Sequence, residues 1–325
     1  MTLDRPPSGK VQRVLAGAGG EGQRLDNFLL KTLAGVPRSR VYRLLRKGEV
    51  RVNGKRAKAD YRLAATDELR LPPVREARPQ AVAPRRVPNA LLASVRAAII
   101  YEDARMLVLD KPSGLAVHGG SGLSFGAIEA LRALRPDETL ELAHRLDRDT
   151  SGCLLVARER AALRQLHGLL REGGVLKRYS ALVAGRWQLG KKTIDAPMLT
   201  DARQGGLRTV RVHAEGKTAI SRFSPRQNFR SLATLMEVSI DTGRTHQIRV
   251  HAAFARHPVA GDEKYGDREF NRRMHELGLR RMFLHAAELS FAWPDTGQAF
   301  RISAPLPPDL ADVLRRLEAG DSAQD

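Results

Sequence analysis

Apolar residues recur at helical spacing in two stretches near the start of the chain. In residues 25–33 leucine and phenylalanine lie three or four positions apart, and residues 41–45 repeat the pattern, which is typical of a buried helix face. A glycine and a proline between the stretches indicate a turn. Two β-like runs follow, EVRVNG and DELRLPP, and Asn53-Gly54 is a hairpin turn signal. The pattern predicts a small module of two helices and short strands.

The longer part of the chain, from about Val95 to Pro308, contains both periodicities. Seven runs read as strands: RMLVLD, GCLLVAR, YSALVAG, RTVRVHA, LATLMEVSI, FLHAAELSF and AFRISA. Four runs read as helices: FGAIEALRALR, ERAALRQLHGLLREG, THQIRVHAAFAR and REFNRRMHELG. Many strand-like runs follow one another without a helix between them. The pattern therefore favours an α+β fold with a mixed, mostly antiparallel sheet.

Proline marks the join between the two parts. Residues 76–92 contain three prolines and show no clear period, which is typical of a semi-extended linker. The first residues of the chain are rich in glycine, proline and alanine. We therefore expect a flexible N-terminus over 1–21, a small domain over 22–80, a linker over 81–94 and a larger domain over 95–325.

The charge of the chain indicates a partner. Its 325 residues include 55 Lys or Arg and 36 Asp or Glu, and the formal net charge of +19 favours a polyanion such as nucleic acid. Residues 24–75 alone carry 14 Lys or Arg against 5 Asp or Glu. The second predicted helix holds a row of cations: Arg38, Arg40, Arg43, Arg46 and Lys47. A solvated helix face is the ordinary explanation for such a row, but the missing acidic residues favour a surface that contacts RNA phosphates.

Other features exclude several classes of protein. No apolar run approaches the ~20 residues that span a bilayer, and the N-terminus lacks the apolar segment of a signal peptide. Cys153 is the single cysteine, which rules out an intrachain disulfide and a cysteine zinc cluster. We therefore expect a soluble cytoplasmic protein that does not associate with membranes.

Three motifs point to other chemistries, but each is weak. The G-x-G-x-x-G match at 17–22 lacks the acidic residue ~20 positions on that a dinucleotide site needs. The G-x-S-x-G match at 122–126 has no apolar strand before Ser124, which is better interpreted as a helix N-cap. His246 and His251 are five positions apart and so lie on different helix faces, unlike a zinc-binding pair. We expect neither a cofactor nor a metal.

The densest group of polar residues is HRLDRDTSG at 144–152. It combines two carboxylates, two arginines, a histidine and two hydroxyls between apolar runs. A structural turn in which arginine and aspartate neutralise each other is the alternative interpretation. A second polar group, TGRTHQIRVH at 242–251, and Tyr179 at the start of a strand accompany it. Aspartate, tyrosine and arginine in three separate groups of a basic chain suggest chemistry on a nucleobase.

HRLDRDTSG resembles the signature of the RluA-type pseudouridine synthases, which modify large-subunit rRNA. Further stretches resemble the family's other motifs in their order: KPSGLAVHGGSG, KRYSALVAG, TGRTHQIRVHAAFARHPVAGDEKYG and RRMFLHA. The first ~75 residues resemble an S4 RNA-binding domain. HGGSGLSFG and YGDREFNRR are similar to the RluC branch of the family, which acts on 23S rRNA.

The resemblance implies a reaction and a set of catalytic residues. The N1–C1′ bond of a flipped-out uridine breaks, the base turns, and C5 bonds to C1′. Asp147 is then the catalytic aspartate, which attacks C1′ or removes the C2′ proton; the sequence leaves both routes open. Tyr179 lies over the base and Leu284 forms an apolar wall. Arg249 would hold both oxygens of Asp147, with Arg145 and Arg148 as competitors for that pairing.

The remaining polar residues are expected to bind the substrate. The resemblance implies that Lys111, Arg145, Arg148 and Arg244 hold phosphates around the flipped nucleotide and that His246 lies at the substrate. It implies a monomer that acts on 23S rRNA, not DNA, without cofactor. The alternative is a non-catalytic RNA-binding or ribosome-assembly protein. A carboxylate at Asp147 argues against that alternative, because binding of phosphates gains nothing from one.

Overall fold

The structure of this protein is a computed structural model that describes residues 11–33, 36–73, 86–120, 125–200 and 209–322. The side chains of Arg38, Ser39, Asp321 and Ser322 are also outside the description. Predictions for residues 1–10, 74–85, Ser124 and the side chain of Arg38 therefore fall outside the described residues. The chain divides into two units, Met1–Arg85 and Arg86–Asp325.

The first unit is built around a small antiparallel sheet. Its described elements are β1 (Gln12–Leu15), α1 (Gly17–Gly20), α2 (Leu25–Thr32), α3 (Arg38–Lys47), β2 (Arg51–Val52) and β3 (Glu68–Leu71). The strand order is β1-β3-β2. Leu25 and Leu29 of α2 are fully buried against Val41 of α3, as the helical spacing predicted. Asn53 and Gly54 both have positive φ, which confirms the predicted turn.

The start of this unit corrects the prediction of a flexible lead-in over 1–21. β1 pairs with β3 from Gln12↔Leu71 to Leu15↔Glu68, so these residues form an ordered edge strand. Gly17–Gly20 form one helical turn after it, and Gly22 follows that turn. Because β1 lies in an antiparallel sheet, these glycines do not occupy the parallel β-α-β unit of a dinucleotide site.

The second unit contains a large sheet with helices on its faces. Its described elements are α4 (Asn89–Ala97), β4 (Ile99–Glu102), β5 (Met106–Lys111), α5 (Ala127–Leu134), β6 (Glu141–Leu142), β7 (Ser151–Ala157), α6 (Arg160–Glu172), β8 (Leu176–Ala184), β9 (Lys192–Asp195), β10 (Met198–Thr200), β11 (Val210–Val212), β12 (Ile220–Phe229), β13 (Ala233–Ile240), α7 (Gln247–Phe254), α8 (Arg268–Glu276), β14 (Leu284–Ala292), β15 (Ala299–Ser303) and α9 (Pro308–Ser322). No helix among the described residues is long and apolar enough to cross a membrane.

Strand order places three strands together at the centre of the large sheet. The order is β4-β5-β7-β14-β8-β13-β12-β9, with β15 beside β14 and β6 beside β7. β14 runs parallel to β7, and the other pairings within the described strands are antiparallel. The predicted α+β class and mixed sheet are confirmed. β14 enters the sheet between β7 and β8, although it is far from both in the sequence.

Both faces of this sheet are covered. Alternate residues of β5 enter different clusters: Leu107 and Leu109 pack with α4 and α5, whereas Met106 and Val108 pack with α6. Successive side chains of a strand point to opposite faces of the sheet. When helices cover both faces, the side chains on each face must be apolar. Tyr179 of β8 belongs to the face shared with α4 and α5.

One local prediction is corrected in this unit, and a second falls outside the described residues. Helix α4 occupies Asn89–Ala97, so the predicted linker does not extend over 89–94; Val95 anchors this helix in the core. Helix α5 begins after Gly126, and the predicted N-cap at Ser124 lies outside the described residues. The Oε2 of Glu129 accepts hydrogen bonds from the N–H groups of Gly126 and Gly119, which ties Gly119 to the start of the helix.

Candidate active site

Asp147 lies in the loop that leads into β7, and this loop is fastened to the segment after β5. The Nζ of Lys111 donates hydrogen bonds to the carbonyl oxygens of Pro112, Leu115 and Arg148 at 2.7–3.0 Å. Lys111 is fully buried. The prediction that Lys111 contacts an RNA phosphate is therefore wrong, because its ammonium is enclosed and holds the loop instead. Burial lowers the pKa of Lys111 to about 7, while the three carbonyl oxygens favour the charged form.

Replacing Lys111 by methionine should destabilise the protein by roughly 2 kcal/mol, because three buried carbonyl oxygens lose their donor. Urea denaturation of the variant and of wild type measures this difference. Lys192→Met, in which an exposed lysine of β9 is lost, is the matched control and should change stability by less than about 0.5 kcal/mol. Equal stability of Lys111→Met and wild type would mean that the lysine does not fasten the loop.

Gly152 sets the position of β7 against β14. Its φ is +106°, and a Cβ there would lie 2.2 Å from the carbonyl oxygen of Ala286 on β14. A side chain would push these strands apart. The close approach brings the start of β7, and so the loop of Asp147, beside the start of β14 at Leu284.

Tyr179 and Leu284 form the apolar walls of a small cavity. β8 and β14 are neighbours in the sheet, and both side chains are buried with little exposure. Burial and the nearby charge of Asp147 raise the pKa of the Tyr179 phenol, so that it stays protonated. No hydrogen bond to its hydroxyl is found among the described residues. The ring therefore offers a flat face and a free hydroxyl to a ligand.

Arg249 of α7 joins Asp147 to a second carboxylate. Its Nη1 donates to Oδ2 of Asp147 at 3.3 Å, whereas Nε and Nη2 donate to the two oxygens of Asp262 at 2.7 and 2.8 Å. The two-point pairing therefore belongs to Asp262, not to Asp147 as the sequence suggested. Asp262 also accepts from the N–H groups of Lys264 and Tyr265. Asp262 thus fixes the guanidinium through Nε and Nη2, which leaves Nη1 to donate to Asp147.

Arg249 and the carboxylates beside it each favour the charged form of the other. Burial alone would lower the pKa of the Arg249 guanidinium, but the carboxylates of Asp262 and Asp147 raise it. Burial would raise the pKa of Asp262, but Arg249 and the backbone N–H groups hold that pKa below its usual value. Arg249 and Asp262 are therefore a charged pair at neutral pH.

His246 and Gln247 shape the segment before Arg249. His246 has a left-handed backbone, with φ of 56°, and caps α7; its Nε2 is 3.9 Å from Oδ2 of Asp147. Its Nδ1 lies 2.9 Å from the hydroxyl of Tyr265, and burial lowers its pKa. Gln247 fastens the segment to β12 through Ser221 and the carbonyl oxygen of Ile220. The polar run 242–251 thus serves partly as a structural brace.

Most of the predicted site residues meet in one cavity of about 60 Å³. The cavity is lined by Asp147, Tyr179, Arg249, Leu284, Arg145, Arg244 and His246, together with Thr150, Gln247 and neighbouring residues. Arg148 does not line it: this exposed side chain pairs with Asp149 next to it, at 3.1 Å. Arg148 thus lies outside the cavity, and its contact with a phosphate near the nucleotide stays a prediction.

The geometry allows a carboxylate to act on a planar ring. Asp147 is partly exposed at the cavity and faces both Arg249 and the Tyr179 ring. Such a carboxylate can serve as nucleophile or base toward a ring that stacks on Tyr179. His251, in contrast, is fully buried between Ser221 and the carbonyl oxygen of Ala196. Within the described ranges, no group of three or more His, Cys, Asp or Glu side chains is placed to hold a metal ion.

Comparison with known proteins agrees with this geometry. The sequence profile of RNA pseudouridylate synthases matches residues 105–254, and that of the S4 domain matches residues 23–69. Ribosomal large subunit pseudouridine synthase C of Escherichia coli K12 is 55% identical over 316 residues, covering 96% of this chain and 97% of that protein. This chain belongs to the RNA pseudouridine synthase family.

Further relatives and solved structures agree with the assignment to the pseudouridine synthases. The proteins of the same name from Pasteurella multocida and Yersinia pestis are each 53% identical and cover 93% and 94% of this chain, and 92% and 96% of their own lengths. Human RNA pseudouridylate synthase domain containing 4 has a TM-score of 0.58 at 25% identity, covering 71% of this chain and 96% of that chain. The predicted pseudouridine synthase and S4 assignments are confirmed.

Two polar residues of this pseudouridine synthase site were not predicted. Asp262 and Tyr265 lie in HPVAGDEKYG, a stretch that the sequence analysis used only for the family resemblance. An isolated acidic residue in a turn carries no signal of its own. A buried arginine requires a buried carboxylate, however, and Asp262 is the first acidic residue that follows Arg249 in the sequence.

Proposed function

We propose that this pseudouridine synthase isomerises uridines of large-subunit (23S) ribosomal RNA. The target uridine flips into the cavity, where its base stacks on Tyr179 and contacts Leu284. Asp147 acts on the sugar at C1′ or C2′, the N1–C1′ bond breaks, and C5 bonds to C1′ after the base turns. Arg249 holds the carboxylate toward the sugar. The observation that carries the proposal is the 3.3 Å contact between Asp147 and Arg249 opposite the free face of Tyr179.

Several observations support the ribosomal substrate. The curated relatives that are 53–55% identical over more than nine tenths of the chain are named for the ribosomal large subunit. The S4 domain match and the excess of positive charge fit a large folded RNA. That the protein acts as a monomer, without DNA and in the cytoplasm stays a prediction.

Mapping pseudouridines in ribosomal RNA tests the proposal directly. Total RNA from cells with and without the gene is treated with carbodiimide, and reverse-transcription stops are compared position by position. We expect specific large-subunit positions to lose pseudouridine and to regain it when wild-type protein, but not Asp147→Asn, is supplied. An unchanged map would contradict the proposed substrate.

The cations of α3 should contribute to RNA affinity without changing the chemistry. Arg43, Arg46 and Lys47 are exposed, and no acidic partner is found for them among the described residues. Reversing Arg43 and Arg46 to glutamate should weaken rRNA binding and flatten the slope of log K against log salt by about 1.4–1.8, since each phosphate contact contributes ~0.7–0.9. At saturating RNA, the single-turnover rate should stay within about two-fold.

A matched control reverses two arginines that already have acidic partners. Arg272 and Arg273 on α8 are exposed and pair with Glu269. Arg272→Glu with Arg273→Glu makes the same change in net charge and should alter the salt slope little. If the α3 variant bound rRNA with an unchanged slope, α3 would not contact phosphates.

A further inference from the structure

A second cavity, of about 560 Å³, adjoins the first. It shares Arg145, Tyr179 and Arg244 with the active-site cavity and extends toward Lys177 and Arg171. Nothing in the proposed chemistry uses this space. Tyr179 and Lys177 lie two positions apart on β8, so their side chains leave the same face of the sheet about 7 Å apart along the strand.

The Lys177 ammonium makes no direct contact with an acceptor. The residue is 5% exposed, and no hydrogen bond or ion pair to its ammonium is found in the described part of the chain. The carboxylate of Asp241 acts on it only at longer range. Lys111 shows the contrast, because its ammonium is satisfied by three carbonyl oxygens. No buried side-chain nitrogen or oxygen among the described residues lacks a partner, so the Lys177 ammonium must reach the solvent of the second cavity. An ammonium that only water contacts can exchange that water for an anionic ligand. Lys177 lines the second cavity and can meet such a ligand there.

The neighbours of Lys177 identify the charge of the ligand. Arg145 and Arg171 line the cavity, are exposed and have no partner within the described residues, and Arg244 lies beside them. Asp241 is the one carboxylate among the described lining residues, and it pairs with Arg222. The cavity is therefore strongly positive and offers donors to an anion.

We propose that the second cavity binds the phosphate of a nucleotide adjacent to the target uridine, with Lys177 donating to its oxygens. The inference rests on the proposed function, because a uridine in the first cavity belongs to a polyanionic chain. One phosphodiester link leads from that uridine to its neighbour, and the adjoining positive cavity lies beside the wall formed by Tyr179. Binding this phosphate fixes the register of the RNA strand relative to Asp147 and supplies the partner that the Lys177 ammonium lacks.

The test compares protein variants with neutralised RNA linkages. The probe is a synthetic RNA hairpin centred on a large-subunit uridine that stays unmodified when the protein is absent from cells. Each phosphate flanking this uridine is replaced in turn by a neutral methylphosphonate. Lys177→Met should bind the unmodified hairpin roughly ten-fold more weakly, with a salt slope smaller by ~0.7. At one of the flanking positions, the neutral linkage should weaken RNA binding by wild type to a similar extent. The same linkage should not weaken binding by Lys177→Met any further.

Controls separate this contact from a structural role. Lys177→Arg should restore most of the affinity, and Lys192→Met should bind as wild type does. At saturating RNA, Lys177→Met should retain the single-turnover rate within about three-fold, because a binding contact acts mainly on affinity. Its thermal midpoint should match that of wild type, because the ammonium makes no hydrogen bond or ion pair within the described residues that the substitution would break.

Three results would overturn the inference. In the first, Lys177→Met binds the hairpin as tightly as wild type does. In the second, the neutral linkage lowers the affinity of Lys177→Met and of wild type equally. In the third, a lowered thermal midpoint of Lys177→Met accounts for its weaker binding. Inorganic phosphate that stabilised wild type but not Lys177→Met, without any linkage effect, would indicate a free anion instead. If wild type bound the hairpin but did not convert its uridine to pseudouridine, the result would count against the isomerase assignment. The affinities for the neutral-linkage hairpins would still test the phosphate contact.

Discussion

Replacing Asp147 by asparagine should lower pseudouridine formation by roughly 10⁴-fold or more, the scale seen when an essential catalytic side chain is removed. The amide has nearly the same shape as the carboxylate, so the loop and its contact with Arg249 should remain. What is lost is the negative charge that attacks C1′ or removes the C2′ proton. RNA binding should be retained or slightly improved, because a negative charge beside a polyanion is gone.

Single-turnover conversion of rRNA, with binding measured on the same preparations, checks this expectation. Asp149→Asn is the matched control, because Asp149 belongs to the same loop but pairs with the exposed Arg148. The control should keep activity within about ten-fold. Turnover by pure Asp147→Asn that approaches that of Asp149→Asn would exclude Asp147 as the catalytic carboxylate.

Helices and strands with a clear period of apolar residues could be predicted from the sequence, because that period depends only on neighbouring residues. The helical spacing in α6 and the continuous apolar run of β7 each follow from the faces that they bury. α4 and β1 were missed. α4 begins after a proline in a region with no clear period, and β1 is ordered only by pairing with β3, more than fifty residues away. Such pairing leaves no local signature.

In the candidate site, too, some features could be predicted from the sequence and others depend on tertiary structure. Asp147, Tyr179 and Leu284 come together because β14 enters between β7 and β8, which residue patterns alone do not reveal; the family resemblance supplied their roles. The different environments of Lys111 and Lys177 could not be predicted from the sequence. Lys111 and Lys177 are both basic residues near the motifs, yet one is enclosed by carbonyl oxygens and the other faces an open cavity. Only tertiary contacts distinguish an enclosed lysine from one that lines a cavity.

Replacing Asp262 by asparagine should reduce both stability and catalysis. Asp262 is the fully buried partner that holds two N–H groups of Arg249. Removing one member of a buried ion pair leaves an uncompensated charge and costs roughly 3–5 kcal/mol. Arg249 would then turn toward Asp147, its remaining carboxylate, and pull that group from its position at the sugar. We expect the single-turnover rate of the folded variant to fall about 100-fold, the usual penalty for a misplaced reacting group.

Asp309→Asn provides the comparison, because Asp309 also accepts two hydrogen bonds from one arginine, Arg281, but is 58% exposed. An exposed pair contributes at most about 1 kcal/mol, so this control should unfold and react nearly as wild type does. Urea denaturation gives the stabilities, and rates are measured at saturating RNA on protein shown by circular dichroism to be folded. A folded Asp262→Asn protein with the wild-type rate would mean that Asp262 stabilises the fold but does not position Arg249 for catalysis.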